Sequence, residues 1–163
     1  MEEKTMRIQS VEGRTGKVIV ARFLPGTDML EGIEEVCRRH QVKYAVIQCA
    51  VGAFKQATFV YPIPQKNAKI GIVYSDPVVL EGPIEFLGGQ GIVCQSDEGK
   101  YLLHFHGSAS DKEMRVWGGH FTAGNVILAT LDVIITEIDK VKMLRRFDEE
   151  TGFVQFSPEK LGV

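Results

Sequence analysis

Short runs in which apolar and polar residues alternate occupy most of the chain, a pattern typical of half-buried β-strands. Gly, Pro and small polar clusters separate these runs and mark the turns. The predicted strands are residues 6–11, 17–24, 44–50, 56–61, 70–74, 78–81, 84–87, 91–95, 101–107, 114–121, 126–138 and 153–156. Three hairpins are predicted, which join 6–11 to 17–24, 56–61 to 70–74, and 101–107 to 114–121. The runs 44–50 and 126–138 are the most apolar and are predicted to lie inside the sheet.

A different spacing, of three to four residues, follows the turn at residues 24–28 and predicts a helix that packs on the sheet. Its apolar stripe consists of Met29, Leu30, Ile33, Val36, Cys37 and His40. Asp28 is predicted to cap the start of the helix, with Glu31 three residues further on. The helix is predicted to end at about His40, which we interpret as structural because an imidazole is favourable at the negative end of a helix dipole.

Composition narrows the class of protein. A chain of 163 residues that is 44% hydrophobic and 25% charged is long enough for one domain with a sizeable core. The formal net charge of −2 gives no general attraction for a nucleic-acid backbone, and the short basic run at residues 140–146 is interpreted as a solvated edge. The three cysteines are widely spaced and odd in number, which predicts reduced core thiols and favours the cytoplasm. No run has the length of a signal-peptide core or a membrane span, so no membrane partner is expected.

Three of the four histidines lie within seventeen positions, in LHFHGSASDKEMRVWGGHF at residues 103–121. Side chains alternate along a strand, so His104 and His106 point the same way, with Cα atoms roughly 6.5–7 Å apart. A three-residue loop at 111–113 would place His104 opposite His120 and His106 opposite Gly118, with all three imidazoles on one face. Gly118 would then leave space beside His106 for an ion. A two-residue turn would put His120 on the other face, so the prediction depends on the turn.

Imidazole nitrogens suit Zn, Cu, Fe or Ni, and three neutral histidines with one open position are typical of a reactive zinc site. We therefore interpret His104, His106 and His120 as metal ligands and expect zinc. The alternative is that they are satisfied polar residues on a half-buried sheet. The glycines at residues 88–91 are not interpreted as a phosphate loop, because they match no nucleotide-binding pattern and no helix follows them.

Several segments together resemble the plant-and-prokaryote conserved (PPC) domain family, over about residues 17–138. They are FLPGTDMLEGI, CAVGAF, LEGPIEFLGGQG, LLHFHGSASDKEMRVWGGHF and ILATLDVII. The resemblance implies an α/β fold of the α+β type, a mainly antiparallel β-sheet with one principal α-helix packed on it, assembled as a homotrimer. It also implies a zinc-type ion at His104, His106 and His120. We assign residues 1–163 to one PPC-like domain, with a core at about 6–138 and a C-terminal extension at 139–163.

Two functions follow from the resemblance and the histidines. The first is a homotrimeric metal-binding regulatory module that acts in transcription, with DNA or a DNA-binding protein as partner. Plant members carry an AT-hook before the domain, but residues 13–17 here lack its Arg-Gly-Arg core. The second is a metal-dependent enzyme acting on a small oxygen-rich substrate, with Glu85, Asp111 or Glu113 as candidate general base. A third possibility is that the ion only holds the trimer together.

Overall fold

Long β-strands carry most of the chain in the computed structural model, which describes residues 6–161. The single helix of this part is α1 (Met29–Arg39). The strands are β1 (Arg14–Phe23), β2 (Ala45–Val60), β3 (Pro62–Pro64), β4 (Ile72–Tyr74), β5 (Val78–Gln95), β6 (Tyr101–Ser110), β7 (Val116–Phe121), β8 (Val126–Asp139), β9 (Val141–Asp148) and β10 (Phe153–Lys160). The predicted fold class, a mainly antiparallel sheet with one helix, is confirmed.

Eight of the strands form one sheet, in the order β1-β8-β2-β7-β6-β5-β9-β10. Strand β2 also pairs with β5, so that β2, β5, β6 and β7 close into a ring. The contacts are antiparallel except for one parallel pairing of Gln95 in β5 with Leu144 in β9. Strands β3 and β4 form a separate two-stranded ribbon. The last two strands thus extend the sheet beyond the ring.

Phenylalanine side chains from all four strands fill the ring. These fully buried residues are Phe54, Phe59, Phe86, Phe105 and Phe121. The ring centroid of Phe86 lies 4.8 Å from that of Phe54 and 5.4 Å from that of Phe121. Burial of each such side chain contributes about 1.5–3 kcal/mol. Because side chains alternate along a strand, the residues on either side of Phe105 point out of the ring.

Helix α1 begins and ends close to the predicted positions. The Asp28 carboxylate accepts from the backbone N–H groups of Leu30 at 2.9 Å and Glu31 at 3.2 Å, as predicted for an N-cap. Its other oxygen accepts from the backbone N–H groups of Gly124 and Asn125, both at 2.8 Å. Asp28 therefore also ties the helix to the turn before β8. In residues 6–161 no helix has the length and apolar character needed to cross a membrane.

The three cysteines are free thiols, as predicted. Cys37 on the helix and Cys94 on β5 are buried, and Cys49 on β2 is half-buried. Burial raises the pKa of Cys37 to about 11 and that of Cys94 to about 12. These two side chains thus behave as small core residues rather than as reactive thiolates.

The predicted hairpin between residues 6–11 and 17–24 is wrong. Residues 6–13 form no strand, and β1 pairs instead with β8, with Phe23 opposite Leu131. The hairpin predicted between residues 56–61 and 70–74 is also displaced, because the ribbon joins β3 to β4. Local alternation does not specify a partner that lies far away in the sequence, and at residues 6–11 it did not correspond to a strand.

Several predicted breaks are bends inside longer strands. The three strands predicted between residues 78 and 95 are continuous in β5, and the two predicted between 44 and 61 are continuous in β2. A Cβ atom at Gly82 would stand 2.6 Å from the Lys55 carbonyl oxygen. Glycine here marks a close approach of two backbones within the sheet, not the end of a strand.

Replacing Phe86 by Ala is expected to lower the free energy of unfolding by about 3–5 kcal/mol, because its ring packs inside the closed part of the sheet. Urea-induced unfolding followed by circular dichroism measures the change. Phe147→Ala is the matched control, since that side chain is 59% exposed. It should change stability by less than about 0.5 kcal/mol. Equal losses in the two variants would contradict the ring as the stabilising core.

Candidate metal centre

The three histidines lie together on the outside of the ring. His104 and His106 flank the buried Phe105 on β6, and His120 precedes the buried Phe121 on β7. Since each phenylalanine points into the ring, each neighbouring imidazole points away from it. The structure thus brings the three predicted site residues to one face of the β6–β7 hairpin.

The predicted register of this hairpin is wrong by two residues. His106, not His104, lies opposite His120, and the strands are joined by a five-residue loop at 111–115. A shift of one residue would have turned His120 to the other face, whereas a shift of two keeps every side chain on its own face. The three imidazoles therefore still meet, through a turn different from the predicted one.

Gly118 also has a role other than the predicted one. It lies opposite Ser108 rather than opposite His106. A Cβ atom at Gly118 would stand 2.5 Å from the Gly107 carbonyl oxygen. The glycine therefore permits the close pairing of β6 with β7.

Asp111 builds the longer loop. Its carboxylate accepts from the backbone N–H groups of Glu113 at 2.9 Å and Arg115 at 3.0 Å. It also accepts from Trp117 Nε1 and from Arg115 Nε, both at 2.9 Å. The hydrogen bond from Trp117, followed by those from Arg115 and Glu113, lowers the pKa of Asp111 to about 2. Met114 takes the left-handed conformation, with φ of 61°, that the loop requires.

The imidazoles are spaced for a single ion. Ring centroids are 4.9 Å apart for His104 and His106, 5.0 Å for His104 and His120, and 5.1 Å for His106 and His120. One nitrogen from each ring can be chosen so that all lie within 4.8 Å of one another. A tetrahedral ion with bonds of about 2.1 Å holds its ligand nitrogens roughly 3.4 Å apart. Small rotations of the rings therefore suffice for coordination.

The three rings are neutral at neutral pH. Burial, with the charge of Arg145 as a further cause, lowers the pKa of His104 and of His120 to about 4 and lowers that of His106. A neutral imidazole keeps one nitrogen with a free electron pair, which is the form that binds a metal. The Nδ1 atom of His120 is buried and has no hydrogen-bond partner in the part of the chain that the structure describes, so the donor set fits a transition-metal ion.

A cavity of about 330 Å³ covers the histidines. Its other walls come from the β3–β4 ribbon, β9 and β10, and include Ile72, Val73, Tyr74, Arg145, Phe153 and Gln155. The Tyr74 ring centroid lies 5.5 Å from that of His120 and 5.6 Å from that of Phe153. The site is therefore a partly enclosed, mainly apolar cavity with three imidazoles on one wall.

The sequence interpretation missed Arg145. The basic run to which it belongs was expected to be a solvated edge, but Arg145 is half-buried and lines the cavity. Its Nη2 donates to the Val154 carbonyl oxygen at 2.7 Å, whereas its Nη1 is buried without a partner among residues 6–161. The period-two pattern offered a signal, because Arg145 follows the buried Val141 and Met143 on the same face of β9.

The candidate general bases lie away from this cavity. Glu85 pairs with Ser110 next to the hairpin loop, and Asp111 and Glu113 belong to the loop itself. None of the three acids lines the cavity. Asp111 is moreover held as a carboxylate by its hydrogen bonds in the turn, which leaves it unsuited to accept a proton.

The sequence matches the model of a known family. Residues 10–139 match the family model described as the Plants and Prokaryotes Conserved (PCC) domain. The chain belongs to this family, as its sequence motifs predicted.

Three comparisons extend this result. The chain is 26% identical over 145 residues to the bifunctional protein GlmU of Synechococcus sp. (strain JA-3-3Ab), a match that covers 89% of this chain and 21% of the relative. It thus spans about a fifth of the length of its curated relatives. A metal-containing protein from Archaeoglobus fulgidus is 27% identical, with a TM-score of 0.78 and coverage of 92% of this chain and 99% of that one. A PPC protein from Pyrococcus horikoshii shares the fold at 23% identity, with a TM-score of 0.77 and coverage of 94% and 100%.

A further solved structure carries a name that concerns nucleic acid. It is a candidate DNA-binding protein from Bacteroides thetaiotaomicron, 14% identical, with a TM-score of 0.72 and coverage of 89% of this chain and 96% of that one. At this identity the comparison establishes the shared fold alone.

Replacing Asp111 by Asn is expected to lower the melting temperature, because the amide nitrogen accepts no hydrogen bond from Trp117 or Arg115. The carboxylate's contribution is fully present above its unfolded pKa of about 3.9 and is lost as the pH falls through about 2. The difference between wild type and variant should therefore shrink across that interval in thermal unfolding curves.

Asp76→Asn provides the control for this experiment, because the Asp76 side chain is exposed and makes no hydrogen bond within residues 6–161. It should leave the melting temperature unchanged. An equal effect of both substitutions would show that the network around Asp111 does not stabilise the hairpin.

Proposed function

We propose that this chain is a metal-binding module in which His104, His106 and His120 hold a zinc-type divalent ion, with one coordination position open to a small ligand. The observation that carries the proposal is the meeting of three neutral imidazoles, with ligand nitrogens within 4.8 Å of one another, on the wall of a cavity. The name of the Archaeoglobus fulgidus protein, which is metal-containing, supports a metal here.

Zinc is the proposed ion because all the protein ligands are imidazole nitrogens and their number leaves a tetrahedral position free. When bound, such an ion acts as a Lewis acid toward an oxygen of the ligand. The protein's own contribution is the fixed hairpin, which holds the three rings on one face, and the apolar cavity, which limits access of water.

A binding module agrees with the cavity better than an enzyme does. An enzyme acting on a small oxygen-rich substrate is the second candidate, favoured by the cavity beside the three histidines. Hydrolytic chemistry there needs a group that accepts a proton, and the cavity lining of the described chain includes no carboxylate. Turnover of an ester or phosphoester that disappears in His106→Ala would favour the enzyme instead.

DNA, or a DNA-binding protein, is the partner that the family resemblance suggests for a regulatory role. The name of the Bacteroides thetaiotaomicron protein points in the same direction for that protein. Direct contact with phosphates relies on clustered cations, and the formal net charge here is −2. We therefore propose that any action on transcription passes through a protein partner.

We also propose self-association as a homotrimer. The number of copies comes from the family resemblance, and the exposed outer face of β1, β8 and β2 provides a surface to bury. Its exposed apolar residues are Val18, Val20, Val51, Leu128 and Ile134. Val20 and Ile134 lie opposite each other in neighbouring strands, so part of this surface is contiguous.

The metal prediction concerns stoichiometry and its dependence on the cluster. Protein loaded with Zn²⁺ and passed through gel filtration should retain one ion per chain, measured by mass spectrometry of the metal. His106→Ala should weaken Zn²⁺ binding by more than about 100-fold, because it removes one of three ligands.

His40→Ala is the matched control for metal binding, since His40 lies at the C-terminal cap of α1, outside the cluster. It should retain the ion. Wild-type protein without stoichiometric metal, or equal losses in the two variants, would overturn the proposed site.

The assembly prediction concerns the exposed face. Sedimentation should give three times the 18.1 kDa mass of one chain, and Val20→Lys combined with Ile134→Lys should give monomers, because lysine disfavours burial of the face. Phe147→Lys, at another exposed apolar position, should remain trimeric. A monomeric wild type or a trimeric double variant would contradict the proposal. Dissociation after chelation would assign assembly to the ion.

A further inference from the structure

Arg145 is a cation without an acidic partner in the described part of the chain. Its Nη2 donates to a backbone carbonyl of β10 at 2.7 Å, and its Nη1 is buried with no acceptor from the described residues. Its neighbour Arg146, by contrast, is paired with both Asp97 and Glu159. Buried N–H groups are almost always satisfied, so an orphaned one on a residue that lines a cavity points to an acceptor supplied from outside the described chain.

The same cavity has an excess of positive charge once an ion is present. Its described lining holds three neutral imidazoles and one guanidinium, with no carboxylate. Arg145 lines the same cavity as the three histidines. A divalent ion held by the histidines and a guanidinium in the same cavity repel each other, and an anion between them relieves the repulsion.

The remaining walls define the rest of the ligand. Ile72, Val73, Tyr74 and Phe153 give the cavity a mainly apolar surface. Its volume of about 330 Å³ is at the lower end of the range of about 300–1,000 Å³ found for small-molecule sites. A small organic molecule with an apolar body thus fits better than an inorganic ion.

The number of free polar positions separates a carboxylate from a phosphate. Arg145 offers one unsatisfied nitrogen, and the proposed ion offers one open position. A carboxylate has two oxygens, which match these two positions. A phosphate would bring further oxygens into a mainly apolar cavity, where they would lack partners.

We propose that the cavity binds a small monocarboxylate with an apolar tail, whose carboxylate accepts from Arg145 Nη1 and occupies the open position of the ion. The tail packs against Tyr74 and Phe153. This inference rests on the proposed metal-binding function and adds the chemical class of the ligand.

Butanoate is the probe, titrated into Zn²⁺-loaded protein by calorimetry, with the visible spectrum of Co²⁺-loaded protein as a second readout. Wild type should bind butanoate and change the Co²⁺ spectrum. Arg145→Met, which keeps the apolar stem, should weaken binding by about tenfold or more, and Arg145→Lys should recover part of it. Arg146→Met, whose charge is already paired, should stay within about twofold.

Measuring the Zn²⁺ content of each variant distinguishes a failure of the carboxylate site from a failure of the metal site. Arg145→Met should carry as much Zn²⁺ as wild type, because Arg145 is not a ligand. Zinc-loaded wild type that does not bind butanoate, or that binds it equally well after Arg145→Met, overturns the carboxylate site and leaves the metal site standing. Binding of butan-1-ol or inorganic phosphate as tight as that of butanoate overturns the assignment of the ligand class.

The remaining outcome is that the wild-type protein does not retain Zn²⁺. If wild type retains no Zn²⁺, the proposed function fails, and butanoate titrated into metal-free protein tests Arg145 alone. Binding that is lost in Arg145→Met then supports the anion site, and no binding overturns it. Circular dichroism of each variant shows whether a loss of binding reflects a loss of fold.

Discussion

The closure of β2, β5, β6 and β7 into a ring is the constraint on which the site depends. Strand β2 pairs with β5 along one edge, and with β8 and then β7 along the other. It therefore joins the two outer strands, β5 and β7, of the three-stranded unit β5-β6-β7. The phenylalanines inside the ring fix which face of each strand is inward. Once Phe105 and Phe121 are buried, the imidazoles beside them have no alternative to the outer face. The packing of the core thus determines on which face of the hairpin the three imidazoles lie.

The features that local patterns specify could be predicted from the sequence. The helix and its Asp28 cap, the long inner strand β8, and the hairpin that carries the histidines all follow from short-range periodicity. The register of that hairpin could not be predicted, because it depends on the hydrogen bonds that Asp111 makes across a five-residue loop. The three histidines still lie on a common face, as predicted, because the error in the register was an even number of residues.

Other features depend on pairings between distant segments, which local patterns do not encode. The partner of β1 is β8, and the last two strands join the edge of β5 through Gln95 and Leu144. These pairings place Arg145 and Phe153 over the histidines. Neither residue lies in the part that matches the family model, which ends at residue 139. The matched domain therefore supplies the imidazoles, and the final strands supply the cation and part of the apolar wall.

This division has an electrostatic consequence for the proposed site. Burial and the charge of Arg145 both oppose positive charge on the imidazoles, which keeps the rings neutral and ready to bind a metal. The positive charge of Arg145 also repels the metal ion. The charge that keeps the imidazoles neutral therefore lowers their affinity for the ion. An anion between Arg145 and the ion removes that opposition. Because coupling between two ligands is reciprocal, each then strengthens the binding of the other. The small molecule is therefore expected to increase the affinity of the protein for the ion, and Arg145 is the residue that couples the two.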